Sequence, residues 1–307
     1  MKHHPDVTVV VVTYSPGDQL DSFLDSLRLA TRGPLPRVVL VDNGSVDGAP
    51  ERAARREGVE LVRSGGNVGF GAAANIGIRR SDTEWVLVAN PDIAWRPGAL
   101  DVLLDAARRW PDAGAIGPAI LTPDGELYPS ARLIPTLGVG IGHAVLGPVW
   151  SANPWSRAYR AEADNPSERV TGWISGSCML LRRTAAQAVG GFDERYFMYF
   201  EDVDLCDRLE QAGYDVVYAP SAVVVHAQGH AASRQPTRMM AEHHRSAYRF
   251  LARRYPGWRW APVRMALKLG LATRLWLSVK LGRVAEGPTL RRRADVLPDL
   301  PDTPQEP

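Results

Sequence analysis

The chain has 307 residues, of which 45% are hydrophobic, and a formal net charge of +2. This length and apolar fraction permit one large domain, or one domain with an appendage. Two cysteines, Cys178 and Cys206, are too few for a disulfide framework and lack the spacing of a zinc site. We therefore expect buried thiols and a reducing compartment, the cytoplasm.

The first half of the chain alternates short β-branched runs with polar, Ala-rich runs, which is typical of parallel βαβ units. The first apolar run is too short for a signal peptide and is interrupted at Tyr14, Ser15 and Pro16. The pattern predicts an α/β fold, Rossmann-like, with a mixed, mostly parallel sheet flanked by helices. Strands are predicted at residues 7–13, 37–41, 60–63, 85–89 and 113–118, and helices at 19–30, 50–56, 71–80 and 97–109.

The second half is less regular. Residues 121–169 lose periodicity, and Pro123-Asp124-Gly125 predicts a hairpin turn within this variable segment. Structure resumes at residue 170, and we predict a helix and then a last pair of strands, at 202–211, 215–218 and 222–226. The predicted organisation is a domain, a basic helical extension and a disordered acidic, proline-rich tail, over residues 1–233, 234–293 and 294–307.

The predicted extension holds most of the positive charge. Residues 234–293 carry fifteen Lys or Arg against two acids, so the rest of the chain is net acidic. This charge predicts an anionic partner, and the interleaved Trp258, Trp260 and Trp276 favour an anionic membrane surface over nucleic acid, for which no recognition motif is present. Charges interrupt residues 263–281, so we expect no transmembrane helix but peripheral binding at the inner face of the membrane.

Polar residues follow four of the predicted strands, where ligands bind in open α/β sheets. A carboxylate there can accept hydrogen bonds from ribose or a base, and a glycine allows the backbone to approach a diphosphate. Each residue alone is equally consistent with an ordinary turn, but together at one sheet edge they favour a nucleotide site. The residues are Thr13, Tyr14, Asp42, Asn43, Asn67, Gly69, Asn90 and Asp92.

Asp92 falls where a diphosphate would lie, and a divalent cation bridging carboxylate and phosphate oxygens would hold such a group. His226, at the end of the final predicted strand, could add a neutral imidazole ligand. A turn capping the next helix is the alternative for Asp92, and a structural role is the alternative for His226. We expect the adjacent His243 and His244 of the extension to be solvated or packing residues.

Glu201, Asp202 and Asp204 form an acidic cluster at the start of a predicted helix, beside three aromatic residues within 197–200. Apolar neighbours raise the pKa of a carboxyl group, which suits a general base. The alternative is that the acids favour the helix dipole and the aromatic residues belong to the core. The chain has no G-x-G-x-x-G after the first strand and no phosphate-binding loop motif, which disfavours a dehydrogenase or an ATPase.

The ordered set of motifs resembles the inverting, metal-dependent glycosyltransferases of family 2, which have the GT-A fold. The resemblance covers about residues 7–229 and is greatest to the bacterial rhamnosyltransferases, including actinobacterial enzymes that add L-rhamnose from dTDP-rhamnose to N-acetylglucosaminyl-diphospho-decaprenol. Each motif is weak alone, but the ordered set is specific. The motifs are VVVVTYS, VDNGSVDG, GGNVGFGAAANIGI, VLVANPD, GWISGSCMLLRR, GGFDERYFMYFEDVDLCDRLEQAGY and VVVVHAQG.

The resemblance implies a donor cleft in which Asp42 contacts the nucleotide base and Asn67 and Asn75 lie along the donor. The segment Asn-Pro-Asp takes the place of the family's Asp-x-Asp metal motif. Because Asn90 departs from that motif, Asp92 is left as the chief carboxylate ligand of Mg²⁺ or Mn²⁺.

The resemblance also implies that Asp202, with Glu201 beside it, deprotonates an acceptor hydroxyl, which attacks the anomeric carbon in one inverting displacement. Trp173 is expected in the acceptor pocket, and Gly176 and Ser177 beside the donor sugar. A lipid-linked saccharide acceptor would explain the basic, Trp-rich extension.

Three alternatives are open at this point. A transferase of the same family could use another nucleotide sugar in O-antigen or capsule synthesis. A sugar-phosphate nucleotidyltransferase would need a Gly-rich, basic loop directly after the first strand, where this chain has YSPGD. A non-catalytic glycan-binding module would be indifferent to the substitution Asp202→Asn.

Overall fold

Buried β-branched residues form the first strand, β1 (Val7–Thr13), in the computed structural model, which describes residues 3–136, 167–227, 236–280 and 291–292. Every residue of β1 is buried. Alternate residues along a strand point to opposite faces of the sheet. Accordingly Val9 and Val11 belong to one hydrophobic cluster and Val10 and Val12 to another. The sheet is therefore covered on both faces.

Four parallel strands form the first half of the sheet, in the order β4-β1-β2-β3. Because they are parallel, their carboxyl ends meet at one edge of the sheet. The added strands and their connecting helices are β2 (Arg37–Asp42), β3 (Val59–Arg63), β4 (Trp85–Ala89), α1 (Gln19–Leu27), α2 (Ala49–Ala53) and α3 (Phe70–Arg80). These bounds agree closely with the predicted elements for the strands, whereas α1 and α2 each end three residues early.

The middle of the chain completes the sheet and adds helices. Its elements are β5 (Ile93–Trp95), α4 (Ala99–Arg109), β6 (Ala113–Leu121), β7 (Glu126–Tyr128), β8 (Ala131–Arg132), β9 (Arg169–Val170), β10 (Trp173–Ile174), β11 (Cys178–Arg182), α5 (Arg183–Ala188), α6 (Glu201–Gln211) and β12 (Asp215–His226). Strand β11 lies antiparallel between β4 and β6. The predicted mixed, mostly parallel sheet with flanking helices is confirmed, and both cysteines are buried as expected.

Two details of the prediction are wrong and one is confirmed. The predicted pair of strands at 215–218 and 222–226 is the single strand β12, whose pairing with β6 shifts register between Ala219 and Val223. Pro220 has no N–H to donate to the ladder, which explains both the irregularity and the predicted break. The three-residue β5 was not predicted. The hairpin turn at 123–125 joins β6 to β7, while residues 137–166 of the variable segment lie outside the described residues.

The C-terminal part continues with α7 (Pro236–Arg254), a 3₁₀ turn (Trp258–Trp260), α8 (Ala261–Lys280) and the short strand β13 (Arg291–Arg292). The predicted helical character is confirmed over α7 and α8, but β13 pairs with β7. Phe250 of α7 is fully buried in the core cluster, and Ser246 Oγ donates to the carbonyl of Met198 at 2.9 Å. The predicted boundary at residue 233 stays a prediction, and the predicted disordered tail lies outside the described residues.

One glycine allows α3 to pack closely on the sheet. A Cβ added to Gly77 would lie 2.3 Å from Cγ1 of Val10, which is fully buried in β1. We expect Gly77→Ala to destabilise the protein, because overpacking costs about 1–3 kcal/mol and exceeds the gain in helix propensity of about 0.5–1 kcal/mol. Urea denaturation would measure the free energy of unfolding.

The matched control is Gly270→Ala in α8, where an added Cβ meets no described atom within 4 Å. This variant should equal or exceed the wild type in stability, since only helix propensity changes. Equal stability changes in the two variants would contradict the close packing of α3 on β1.

Candidate active site

A cleft of about 580 Å³ opens at the carboxyl edge of the parallel strands, which is a typical volume for a small-molecule site. It is bounded by the ends of β1, β2 and β4, by the turn before β11 and by the start of α6. The predicted site residues that line it are Thr13, Tyr14, Asn43, Asn67, Asn90, Asp92, Trp173, Gly176, Ser177, Glu201, Asp202 and His226.

Asp92 and His226 meet on one side of the cleft. Strand β12 pairs with β5 so that His226 lies opposite Ile93, the residue after Asp92. As a result, Nε2 of His226 is 3.0 Å from Oδ1 of Asp92 and 3.5 Å from Nδ2 of Asn90. Within the described ranges, no group of three or more His, Cys, Asp or Glu side chains is arranged to hold a metal ion. A cation here would need ligands from a bound substrate.

The acidic cluster begins at a sharp backbone turn. Tyr199 and Phe200 have φ angles of 67° and 65°, which are rare for residues other than glycine. Phe200 is the residue from which α6 starts, so this turn points the first helical residues into the cleft. Strained backbone of this kind is concentrated at functional sites.

Asp202 is held by two backbone amides. Its Oδ2 accepts from N–H of Gly176 at 2.9 Å, and its Oδ1 accepts from N–H of Val203 at 2.8 Å. Gly176 can approach because it has no side chain, since a Cβ there would lie 3.2 Å from Cβ of Asp202. Burial raises the pKa of Asp202, and the two amide hydrogen bonds partly oppose that effect.

Glu201 lies beside Asp202 and is only 7% exposed. Its Oε2 has no hydrogen-bond partner in the part of the chain that the structure describes. Burial, followed by the charge of Asp202, raises the pKa of Glu201 to about 8. The two neighbouring carboxyl groups therefore differ in character: Asp202 is bonded to amides that favour its charged form, whereas Glu201 favours the neutral form.

Asn43 and Asn67 organise the loop that precedes α3. Asn43 Nδ2 donates to Oδ1 of Asn67 at 3.0 Å and to the carbonyl of Gly69 at 3.3 Å, while Asn43 Oδ1 accepts from N–H of Val68. Gly69 does not line the cleft: a Cβ there would lie 2.5 Å from the carbonyl oxygen of Phe197, so this glycine allows the loop to contact the segment before α6.

Two further predicted donor residues lie outside the cleft. Asp42 is buried, with its carboxylate bonded to Arg63, to N–H of Ser45 and to Thr13 Oγ1, so it supports the site from below. Asn75 faces the turn after α5, where its amide bonds both N–H and C=O of Phe192. Asn75 was predicted to lie along the donor cleft, but in the structure it does not line the cleft.

His243 of α7, which was predicted to be a solvated or packing residue, packs against aromatic rings and also lines the cleft. Its ring packs edge-on against Tyr199 and Phe200, with ring centroids 5.5 Å apart in each pair. The sequence contains a signal for this position, because Ser246, Ala247 and Phe250 follow at helical spacing and are all buried. Arg132 was also missed, and its guanidinium lies over the Trp173 ring in the same cleft.

Comparison with known proteins identifies the family. Residues 8–190 match the profile described as glycosyl transferase family 2, and residues 157–281 match glycosyl transferase family group 2. The chain is 54% identical over 284 residues to the N-acetylglucosaminyl-diphospho-decaprenol L-rhamnosyltransferase of Mycobacterium tuberculosis H37Rv, covering 89% of this chain and 92% of that protein. It is 28% identical over 260 residues to rhamnosyltransferase WbbL of Escherichia coli K12, covering 81% and 93%.

This chain belongs to glycosyltransferase family 2. It is an inverting enzyme, as the resemblance implied, so the alternative functions of nucleotidyltransferase and non-catalytic binding module are excluded.

Two solved structures share the fold. GalNAc-T7 with UDP, GalNAc and Mn²⁺ has a TM-score of 0.56 at 16% identity, covering 73% of this chain and 43% of that one. The Pyrobaculum calidifontis mannosyltransferase PcManGT with GDP-Man and Mn²⁺ has a TM-score of 0.53 at 20% identity, covering 93% and 79%. The predicted GT-A fold is confirmed.

In this family 2 glycosyltransferase, buried ion pairs join helix α6 to α7. Asp204 and Asp207 are 0% and 1% exposed. Asp204 bonds Arg208 Nε at 2.7 Å and lies 2.7 Å from Arg253 Nε, while Asp207 pairs with both Arg253 and Arg254. Asp204 therefore belongs to this network, and part of the positive charge of the extension is neutralised inside the protein.

Removing one arginine from this network tests its contribution. We expect Arg253→Met to lower the free energy of unfolding by about 3 kcal/mol, the lower end of the range for breaking a buried ion pair, since Arg208 and Arg254 still contact the carboxylates. The matched control, Arg245→Met, removes an exposed pair with Glu242 and should cost less than about 1 kcal/mol. Chemical denaturation of both variants would measure the difference, and similar losses would contradict the assigned role.

Proposed function

We propose that this enzyme transfers L-rhamnose from dTDP-rhamnose to a polyprenyl-diphosphate-linked N-acetylglucosamine, with inversion at the anomeric carbon. The main support is the 54% identity, over nearly the whole chain, to the M. tuberculosis transferase named for this reaction. The cleft supports it chemically, because it combines a polar edge suited to a nucleotide with a half-buried, amide-bonded carboxylate.

Asp202 is the proposed base. A single displacement needs one group to accept the proton of the attacking hydroxyl, as that oxygen bonds to the anomeric carbon and the nucleoside diphosphate leaves with the electron pair of the broken bond. N–H groups of Gly176 and Val203 fix the orientation of the Asp202 carboxylate. Its raised pKa makes it a stronger base than an exposed carboxylate.

Asp92 and His226 fit a divalent cation. Their 3.0 Å separation suits neighbouring ligands of one ion, which are about 3 Å apart when each bond is about 2.1 Å long. With only two protein ligands, the donor diphosphate would supply further oxygens. Such a cation, Mg²⁺ or Mn²⁺, would neutralise the negative charge of the leaving diphosphate. The Mn²⁺ present in the two structural neighbours supports this proposal.

The nucleotide is assigned to the edge formed by Thr13, Tyr14, Asn43 and Asn67. These residues line the cleft, and the asparagine pair orders the loop beside it. Asp42 does not line the cleft, but its carboxylate accepts hydrogen bonds from Thr13 and from the backbone of Ser45, which supports the edge. A direct contact of Asp42 with the base stays a proposal from the family resemblance. Gly176 and Ser177 are assigned to the donor sugar, since they lie between Asn90 and Asp202.

The central test measures transfer by purified enzyme from labelled dTDP-rhamnose to a short-chain polyprenyl-diphospho-N-acetylglucosamine, with and without Mg²⁺ or Mn²⁺. Asp202→Asn should lower kcat by about 10²–10⁴-fold, the usual contribution of a general base, while calorimetric binding of the nucleotide sugar is retained. The exposed control Asp105→Asn should behave as the wild type.

Asp202 must be ionised to act, so the rate should fall as the pH drops through its raised pKa. Full activity of Asp202→Asn would contradict the mechanism. Consumption of other nucleotide sugars but not dTDP-rhamnose would leave the class intact and refute the rhamnose assignment.

We also propose that α8 binds an anionic membrane surface. No helix among the described residues is long and apolar enough to span a bilayer. Met265, Leu269 and Trp276 share one face of α8 and are each more than half exposed, whereas Leu267 and Leu271, on the opposite face of the helix, are half-buried. The chain has no acidic residue between 243 and 285, so the basic residues near this face are suited to anionic lipid headgroups.

Vesicle sedimentation tests this surface. The triple variant Met265→Gln, Leu269→Gln, Trp276→Gln should bind phosphatidylglycerol-containing vesicles at least about tenfold more weakly than the wild type, since each buried apolar side chain contributes about 1 kcal/mol or more. The control variant Leu29→Gln, Val46→Gln removes exposed apolar residues outside the extension and should bind as the wild type. Equal binding to neutral vesicles, or a dimer broken by the triple variant in ultracentrifugation, would contradict the proposal.

A further inference from the structure

Two polar atoms in the cleft are buried without a hydrogen-bond partner among the described residues. They are Oε2 of Glu201 and Nε1 of Trp173. Both side chains line the cleft that contains Asp202. Buried polar groups in folded proteins are nearly always paired, and an unpaired one destabilises the fold. Two such atoms in one cleft indicate that a ligand completes their hydrogen bonds.

The two atoms have complementary hydrogen-bonding character. The indole N–H of Trp173 can only donate, so it needs an oxygen acceptor. The Glu201 carboxyl group can accept, and in its neutral form it can also donate. A molecule that meets both demands carries hydroxyl or carbonyl oxygens, as a saccharide does.

The surroundings of these atoms also suit a saccharide. Tyr199 and Phe200 present aromatic surfaces in the cleft, and the Trp173 ring is covered on one side by the guanidinium of Arg132. Trp173 is fixed by the antiparallel pairing of β10 with β8. Aromatic rings with a few placed polar groups are typical of small-molecule sites.

The position beside Asp202 decides which sugar binds here. The base must contact the hydroxyl that it deprotonates, and Glu201 is its neighbour in the chain at the start of α6. The metal-fitting pair Asp92 and His226 lies at the end of β4 and β12 instead, where the donor diphosphate is proposed. The sugar nearest Glu201 is therefore the acceptor.

We propose that Glu201 and Trp173 bind the acceptor sugar, with Nε1–H of Trp173 donating to one of its oxygens and Oε2 of Glu201 bonding one of its hydroxyls. This proposal rests on the proposed function, in which Asp202 is the base. Glu201 favours its neutral form, because burial and then the charge of Asp202 raise its pKa to about 8. It is a binding residue and takes no proton from the acceptor.

Glu201→Leu and Trp173→Phe test the proposal, since each removes the polar atom and keeps an apolar side chain. Direct binding of short-chain polyprenyl-diphospho-N-acetylglucosamine, measured by calorimetry, should weaken about 10–100-fold in Glu201→Leu and about 5–20-fold in Trp173→Phe. In turnover, the loss should fall mainly on KM for the acceptor, with binding of the nucleotide sugar unchanged. Glu201→Gln, whose amide can still donate and accept, should recover most of the affinity lost in Glu201→Leu.

A second readout separates binding from folding. Because these substitutions remove unsatisfied buried atoms, Tm should be equal to or higher than that of the wild type. Two controls make the same chemical changes outside the cleft: Glu210→Gln at the exposed end of α6, and Trp110→Phe, whose indole N–H bonds Glu168. Both should bind acceptor as the wild type.

Unchanged acceptor affinity in Glu201→Leu and Trp173→Phe would overturn this proposal, as would a Glu201→Gln variant no better than Glu201→Leu. That failure is distinct from failure of the proposed function, which would appear as absence of transfer by the wild type. The binding measurement does not require turnover, so it decides the subsite in either case.

Discussion

The antiparallel pairing of β11 with β4 brings the two halves of the active site together. Because β11 runs in reverse, its first residue, Cys178, lies beside Ala89, the last residue of β4. N–H of Asn90 then donates to the carbonyl of Ser177 at 2.9 Å, and N–H of the preceding Gly176 donates to Asp202 at 2.9 Å. The edge proposed for the diphosphate and the proposed catalytic carboxylate of Asp202 are thus joined through consecutive peptide groups. A slip of one residue in this register would turn the β11 side chains to the wrong faces of the sheet, so the buried core holds the site in place.

Helix α6 carries four carboxyl groups, and two of them face the cleft while two face neighbouring arginines. Glu201 and Asp202 lie at the helix start in the cleft, whereas Asp204 and Asp207 are buried against arginines of α6 and α7. Neither Glu201 nor Asp202 forms an ion pair within the described ranges, and burial raises the pKa of both. The second pair is compensated by Arg208, Arg253 and Arg254. Proximity in sequence therefore does not imply a shared role, because 3.6-residue periodicity distributes neighbouring acids around the helix.

Much of the fold and the donor edge could be predicted from sequence, for identifiable reasons. Long β-branched strands such as β1 have strong local signals, and polar residues after parallel strands converge by topology alone. A motif gives the residue type but not the direction of the side chain, so the sequence did not show that Asn75 bonds Phe192 or that Asp42 pairs with Arg63. Helical spacing from Ala247 and Phe250 indicates which face of α7 carries His243, but its place in the cleft depends on the packing of α7 against Tyr199 and Phe200.

Helices α7 and α8 connect the cleft with the proposed membrane-binding surface. Helix α7 places His243 in the cleft and is joined to α6 by buried ion pairs, and α8 packs against α7. Met265, Leu269 and Trp276 lie on an exposed face of α8. A lipid-linked acceptor keeps its chain in the bilayer and its diphosphate at headgroup depth, so its sugar can reach Asp202 only where the cleft and the membrane-binding face are neighbours. The packing of α8 against α7 supports this proposed arrangement.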